Sequence, residues 1–222
     1  MRVNVSKTET MVCAKEREQL VVKDCHDQAL KQVGTFKYLG TVIVDSGGCE
    51  EAVKARIKVA WAKWKELSGV MCDKRMPIRL KAKVYKSVIR TTMLYGAETW
   101  TLRRTEESAL ERTEMRMLRW ICGVTLRDRL RNDEIRRRTG VPCITEKARE
   151  ARLRWFGHVW RKDDDCYLKR IMNAEVYGQR SRGRQKKRWR DAVSQDLKTL
   201  RLKEEDAMDR DYWRRMIRVA DP

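Results

Sequence analysis

From Cys49 onward, apolar residues recur at three- and four-residue steps. That period lines them along one face of a helix, so most of this chain is expected to be helical. Val53, Ile57, Ala60, Trp61, Trp64 and Leu67 make the first stripe, with Lys54, Arg56, Lys58, Lys63 and Lys65 mostly opposite. Pro77 opens a second helix, where its fixed φ and missing N–H cost nothing; Ile78, Ala82, Val84, Tyr85, Val88, Ile89 and Leu94 carry it to about Gly96. Thr105, followed by Glu106 and Glu107, is the expected cap of a third, which Gly123 ends. Asn132 and Thr145 are expected to cap the next two. Further helical turns follow around Tyr167 to Met172, from Trp189 to Leu197, and from Met208 to Ile217.

The first 48 residues run on a different period. Val3 and Val5, then Leu20-Val21-Val22, then Phe36, Tyr38 and Val42-Ile43-Val44 alternate as strands do, with Asp24, Gly34, Gly40 and Ser46-Gly47-Gly48 as turns. Short connections favour antiparallel pairing. The expected fold is α+β, mainly α, with short antiparallel strands at the N-terminus. It divides at residues 1–48, 49–140 and 141–222, the last a basic helical segment whose charge density points to ordering on a partner.

Charge narrows the choice of partner. Fifty-two Lys and Arg stand against 32 Asp and Glu, a net charge of +20, which favours a polyanion. The densest stretch is Arg180-Ser181-Arg182-Gly183-Arg184-Gln185-Lys186-Lys187-Arg188-Trp189-Arg190. Each Lys or Arg that meets a phosphate releases a counterion and reads no sequence, and Trp189 offers a face for a base. A solvated basic loop or a nuclear-import signal has the same composition. Of the eight tryptophans, Trp61, Trp64, Trp120, Trp155 and Trp213 fall on apolar stripes and are expected in the core; Trp160 and Trp189 are flanked by charge and stay open.

Other chemistries find little support. Seven cysteines at wide, irregular spacing, without a CxxC pair, fit reduced structural thiols. The only histidines are His26 and His158, and Cys143, His158 and Cys166 do not keep zinc-finger spacing. Asp163-Asp164-Asp165, Glu106-Glu107 and Glu204-Glu205-Asp206 read as caps and solvated turns rather than metal ligands. HExxH, P-loop, GxGxxG and GxSxG motifs are absent. So are an apolar run of 18 residues and, at Met1 to Lys7, the apolar core of a secretory signal. An intracellular protein, nuclear or cytoplasmic and without membrane contact, is expected.

Five segments add a resemblance. Val3-Asn4-Val5-Ser6-Lys7-Thr8 resembles the N-x-x-K-T segment of reverse-transcriptase palms, and Phe36-Lys37-Tyr38-Leu39-Gly40 the FxYLG hairpin that follows it. Leu94-Tyr95-Gly96-Ala97-Glu98-Thr99-Trp100 resembles an LYGxExW segment beyond the palm. Arg119-Trp120-Ile121-Cys122-Gly123, then Arg154-Trp155-Phe156-Gly157-His158-Val159 together with Gly183-Arg184 and Arg188-Trp189, resemble the C-terminal part. In this order they are similar to the end of the reverse transcriptase of non-LTR, LINE-type retrotransposons.

The resemblance implies a palm edge at residues 1–48, a thumb-like bundle at 49–140 and a C-terminal segment that binds element RNA or target DNA. It implies that Lys7 stands where the family's palm lysine lies near the leaving pyrophosphate, and that Phe36, Lys37, Tyr38, Leu39 and Gly40 form a primer-grip-like hairpin. Arg180, Arg182, Arg184, Lys186, Lys187, Arg188, Trp189 and Arg190 become the nucleic-acid-binding candidates. The F/Y-x-D-D aspartates that hold Mg²⁺ lie upstream of N-x-x-K-T in the family, and this sequence has no such motif. Without carboxylates to hold both ions, phosphoryl transfer is not expected of this chain, and it needs no cofactor of its own. The expectation is a truncated fragment that binds RNA or DNA without polymerising. Alternatives are a host-retained RNA- or DNA-binding protein, an enzyme completed in trans by another chain, and a basic scaffold for an acidic protein.

Overall fold

The structure is a computed structural model, and it describes residues 4–12, 21–38, 40–174 and 187–220. As expected, the chain is mainly helical with two short strand pairs at its N-terminus. β3 (Thr35–Tyr38) and β4 (Thr41–Val44) form an antiparallel hairpin, with Phe36 opposite Ile43. β1 (Glu9–Thr10) and β2 (Lys31–Gln32) pair in parallel, against the expectation. The roughly twenty residues between them are long enough for a parallel return. Val5, read as a strand residue, sits in a turn, where the Asn4 carbonyl accepts the Lys7 and Thr8 amides.

α1 (Glu50–Glu66) buries Ala52, Val53, Ala60 and Trp64. After a short α2 (Ser68–Met71), Pro77 precedes α3 (Ile78–Val84), which continues through a π-turn (Tyr85–Ile89) into α4 (Arg90–Met93). A 3₁₀ turn (Ala97–Thr99) leads to α5 (Arg104–Cys122), then α6 (Asn132–Thr139) and α7 (Ile144–Trp160). α8 (Tyr167–Asn173), α9 (Trp189–Leu200) and α10 (Arg210–Ile217) complete the order.

The three expected caps each sit one or two residues inside their helices. At α5 the Glu106 carboxylate accepts the Arg103 amide at 2.7 Å, so capping comes from the third helical residue. Asn132 accepts from Arg119 at 2.7 Å, and the Thr145 hydroxyl donates to Glu111 at 2.8 Å. Both polar side chains tie α5 to a neighbouring helix.

Two apolar cores meet on α7. The first gathers Val53, Trp64, Tyr85, Ile89, Leu110, Leu118, Ile121 and Ile135 and reaches Ile144 and Ala148. The second is built by Leu153, Phe156, Val193, Leu197, Trp213 and Ile217. The last segment therefore has a core of its own, although its charge had suggested ordering only on a partner. The reason is that its few large side chains, Phe156 and Trp213 above all, converge at one place.

Two buried ion pairs bind these layers. Glu114, fully buried on α5, accepts from Arg136 of α6 at 2.7 Å, from the Ile144 amide of α7 at 3.0 Å and from the Tyr85 hydroxyl at 3.1 Å. Arg152 of α7 pairs with Asp196 of α9 at 2.7 Å and donates to the Trp100 carbonyl at 2.8 Å.

Gly157 explains itself by contact. A Cβ there would lie 2.4 Å from the Trp213 indole nitrogen, which donates to the Leu153 carbonyl at 3.1 Å. Both packing partners are buried, so neither ring nor helix can yield freely. Gly157→Ala is expected to destabilise the fold by about 1–3 kcal/mol, measured by urea denaturation; an unchanged midpoint would remove Trp213 from this role.

Candidate nucleic-acid interface

The hairpin residues Phe36, Lys37 and Tyr38 are all exposed, and the two rings stack at 6.5 Å between centroids. Leu39 lies outside the described residues. Gly40 has φ +74°, and a Cβ on it would come within 3.3 Å of the Arg56 guanidinium. That guanidinium lies 4.3 Å over the Tyr95 ring. Arg56, assigned from its helix to the solvent face, is in fact buried beneath the hairpin. Arg56 thus lies between Gly40 of the FxYLG segment and Tyr95 of the LYGxExW segment. Lys7 is exposed in its turn.

The basic run divides. Arg180, Arg182, Arg184 and Lys186 lie outside the described residues. Trp189 is half-buried, and its indole donates to the Glu98 carbonyl at 2.8 Å. Arg190 pairs with Glu204 at 2.6 Å and sits over the Phe156 and Trp160 rings at 5.3 and 5.4 Å. These two residues dock α9 and do not face solvent freely. Lys187 reaches Gln195 at 2.8 Å, and the Arg188 amide is capped by Asp191 while its side chain is exposed.

A second basic surface was not singled out by the sequence reading. On α5, Arg112, Arg116 and Trp120 follow at four-residue steps, and all are exposed. On α1, Lys58, Trp61 and Lys65 follow at three and four. The helices are stitched together here. Arg116 lies 5.4 Å over Trp61, and Trp64 meets both Trp61 and Trp120 edge-on at 6.3 Å. No Asp or Glu occupies the positions three or four away from any of these six residues. Trp120 is 50% exposed, and Trp155 37%, so neither is the core residue its stripe suggested. Each falls one step off the buried line of its own helix, beside Ile121 and Phe156, whereas Trp64 of α1 and Trp213 of α10 are buried as expected.

Other site chemistry is weak. Burial pushes the thiols of Cys49, Cys122 and Cys143 above their ordinary value, which keeps them protonated and poor nucleophiles. Among the described residues no three His, Cys, Asp or Glu cluster to hold a metal. Asp163 to Asp165 lie in an exposed turn, and Asp164 pairs with Lys169 at 2.6 Å, which holds its carboxyl below the ordinary range. Among the described residues no helix is long and apolar enough to cross a membrane.

Comparison of the chain with protein-family models, with curated proteins and with solved structures finds no match.

Proposed function

We infer that the chain grips nucleic acid through backbone phosphates as the thumb and C-terminal part of a reverse-transcriptase-derived protein, without polymerising by itself. The observation that carries this is the basic face of α1 and α5, whose cations have no Asp or Glu three or four positions away. Lys58, Lys65, Arg112 and Arg116 are exposed on the two helices that carry the half-open rings of Trp61 and Trp120, and Arg116 lies over Trp61. Cations with no carboxylate at helical-neighbour spacing keep more of their field for a polyanion, and exposed indoles suit a sugar or base edge. The net charge of +20 supplies long-range attraction. Nucleotide addition belongs, in this reading, to a longer parent carrying the F/Y-x-D-D aspartates and Mg²⁺.

Duplex binding followed by fluorescence anisotropy over a salt series tests the reading. Affinity is expected to fall steeply with salt. The double variant Arg112→Gln, Arg116→Gln is expected to flatten the log–log slope by about 1.8, that is, ~0.9 per phosphate lost. A slope unchanged by the variant would move the interface elsewhere, and an acidic polypeptide held more tightly than duplex would favour the scaffold alternative. Primer extension with Mg²⁺ or Mn²⁺ is expected to give no product; extension by the purified chain would overturn the assignment.

A further inference from the structure

A cleft of about 360 Å³ lies between the π-turn and α4 on one side and α7 on the other. Lys86 and Arg90 line the first wall; Lys147, Glu150, Ala151 and Arg154 line the second. Four cations therefore face one carboxylate, and that carboxylate is already engaged. Glu150 accepts from Arg154 through one oxygen, and from Lys147 at 3.0 Å and the Val219 amide at 3.1 Å through the other. Lys147 also reaches the Val219 carbonyl at 2.7 Å, and Lys86 the Gly140 carbonyl at 3.3 Å. Arg90 differs from these. Its Nη1 is shut off from solvent and has no hydrogen-bond partner. An unmade bond from a buried charged donor is costly, and such groups mark places where a missing acceptor belongs. Arg90 lines the cleft, and a turn of its guanidinium toward that space lets a phosphate there supply the acceptor and match the fork.

The face of α7 that brings Ala151 to the cleft carries on beyond it. Ala151, Trp155 and His158 follow at four- and three-residue steps, and the exposed Trp155 ring meets His158 at 5.5 Å. We propose that the cleft seats a backbone phosphate of a single strand, held by Arg90 with Lys86 and Arg154, while a neighbouring base stacks on Trp155. The choice of a single strand follows from the ring: a duplex keeps its base faces stacked inside, whereas an unpaired base has a free face to offer. This assignment rests on the nucleic-acid reading above and gives it a second strand type at a second place.

The test uses fluorescence anisotropy with an eight-residue oligo(dT), an abasic strand of equal length, and the duplex. Arg90→Gln is expected to weaken oligo(dT) roughly tenfold, as loss of a charged hydrogen bond does. Arg154→Gln, whose side chain is 68% exposed and cannot unfold the protein by cavity formation, is expected to weaken it several-fold. Trp155→Ala is expected to weaken oligo(dT) roughly fivefold or more and to leave the abasic strand unaffected. Inorganic phosphate should compete with both strands. The cleft is wrong, and the broader reading intact, if Arg90→Gln and Arg154→Gln bind oligo(dT) like the parent while the duplex still responds to Arg112 and Arg116. Equal losses on oligo(dT) and the abasic strand in Trp155→Ala would overturn the stacking half. If the parent protein holds neither strand nor duplex at low salt, both readings fall.

Discussion

Glu114→Ala is expected to destabilise the protein by about 3–5 kcal/mol, the range for removing one partner of a buried pair. The substitution takes the acceptor from the Ile144 amide and the Tyr85 hydroxyl and leaves Arg136 Nη1 only the Val141 carbonyl at 3.5 Å. They come from α6, from the start of α7 and from the π-turn, so the loss loosens four elements together. Chemical denaturation of parent and variant measures it, and a cost under about 1 kcal/mol would mean the network contributes little. The same carboxyl gives a pH signature. Burial raises its pKa above the usual 4.5, outweighing Arg136 and the other donors. In the window between 4.5 and that raised value, the folded state then holds more protons than the unfolded one. Stability from this group is therefore full below 4.5 and falls as pH rises through the window. Glu114→Gln should abolish that fall while keeping one acceptor oxygen. A parent whose stability rises there on account of Glu114 would reverse the sign.

Much of the fold was legible because the signals were local. The helical stripes of α1, α5 and α9 and the stop at Gly123 need only spacing and a turn residue. The caps were less legible. A threonine or asparagine near a helix start has the chemistry of a cap, but Thr145 and Asn132 bond to α5 instead. Pairing direction in β1 and β2 was hidden because it depends on where a long connection returns. Burial of charge was hidden too. Arg56, Arg152 and Glu114 stand on the buried lines of their helices, beside Val53 and Ala60, Ala148 and Phe156, and Leu110 and Leu118, but their charge assigns them to solvent until tertiary partners are known.

The candidate interface illustrates the same limit. A dense run such as Arg180 to Arg190 is conspicuous in sequence, yet its described part divides into residues that dock α9 and residues that face solvent. Arg112, Arg116, Lys58 and Lys65 are spread over 59 positions of sequence, and only the packing of α1 against α5 makes them one surface. A signal was available: helical spacing of cations around Trp120 and Trp61 with no carboxylate between. The same two rings stand beside apolar stripes, and that neighbourhood points equally to the core.

Arg152→Ala is the second large effect, again about 3–5 kcal/mol, and its consequence is sharper than a lower midpoint. Arg152 stands on α7 between the two cores. It joins Asp196 of the second to the Trp100 carbonyl of the first, while Trp189 makes a parallel tie to the Glu98 carbonyl. Removing the guanidinium leaves Asp196, 12% exposed at its side chain, as an unpaired charge inside α9's packing face. The second core has few large side chains and depends on that docking. The expected outcome is that the 150–220 region opens at lower denaturant than the 49–148 core, so that near-UV signals and amide protection report two transitions where the parent gives one. The double variant Arg152→Met, Asp196→Leu should recover most of the loss, because it removes the stranded charge and keeps the volume. A single coincident transition in Arg152→Ala would mean that α7 alone makes the two cores one cooperative unit. Failure of the double variant to recover would place the cost in the Trp100 contact rather than in the stranded aspartate.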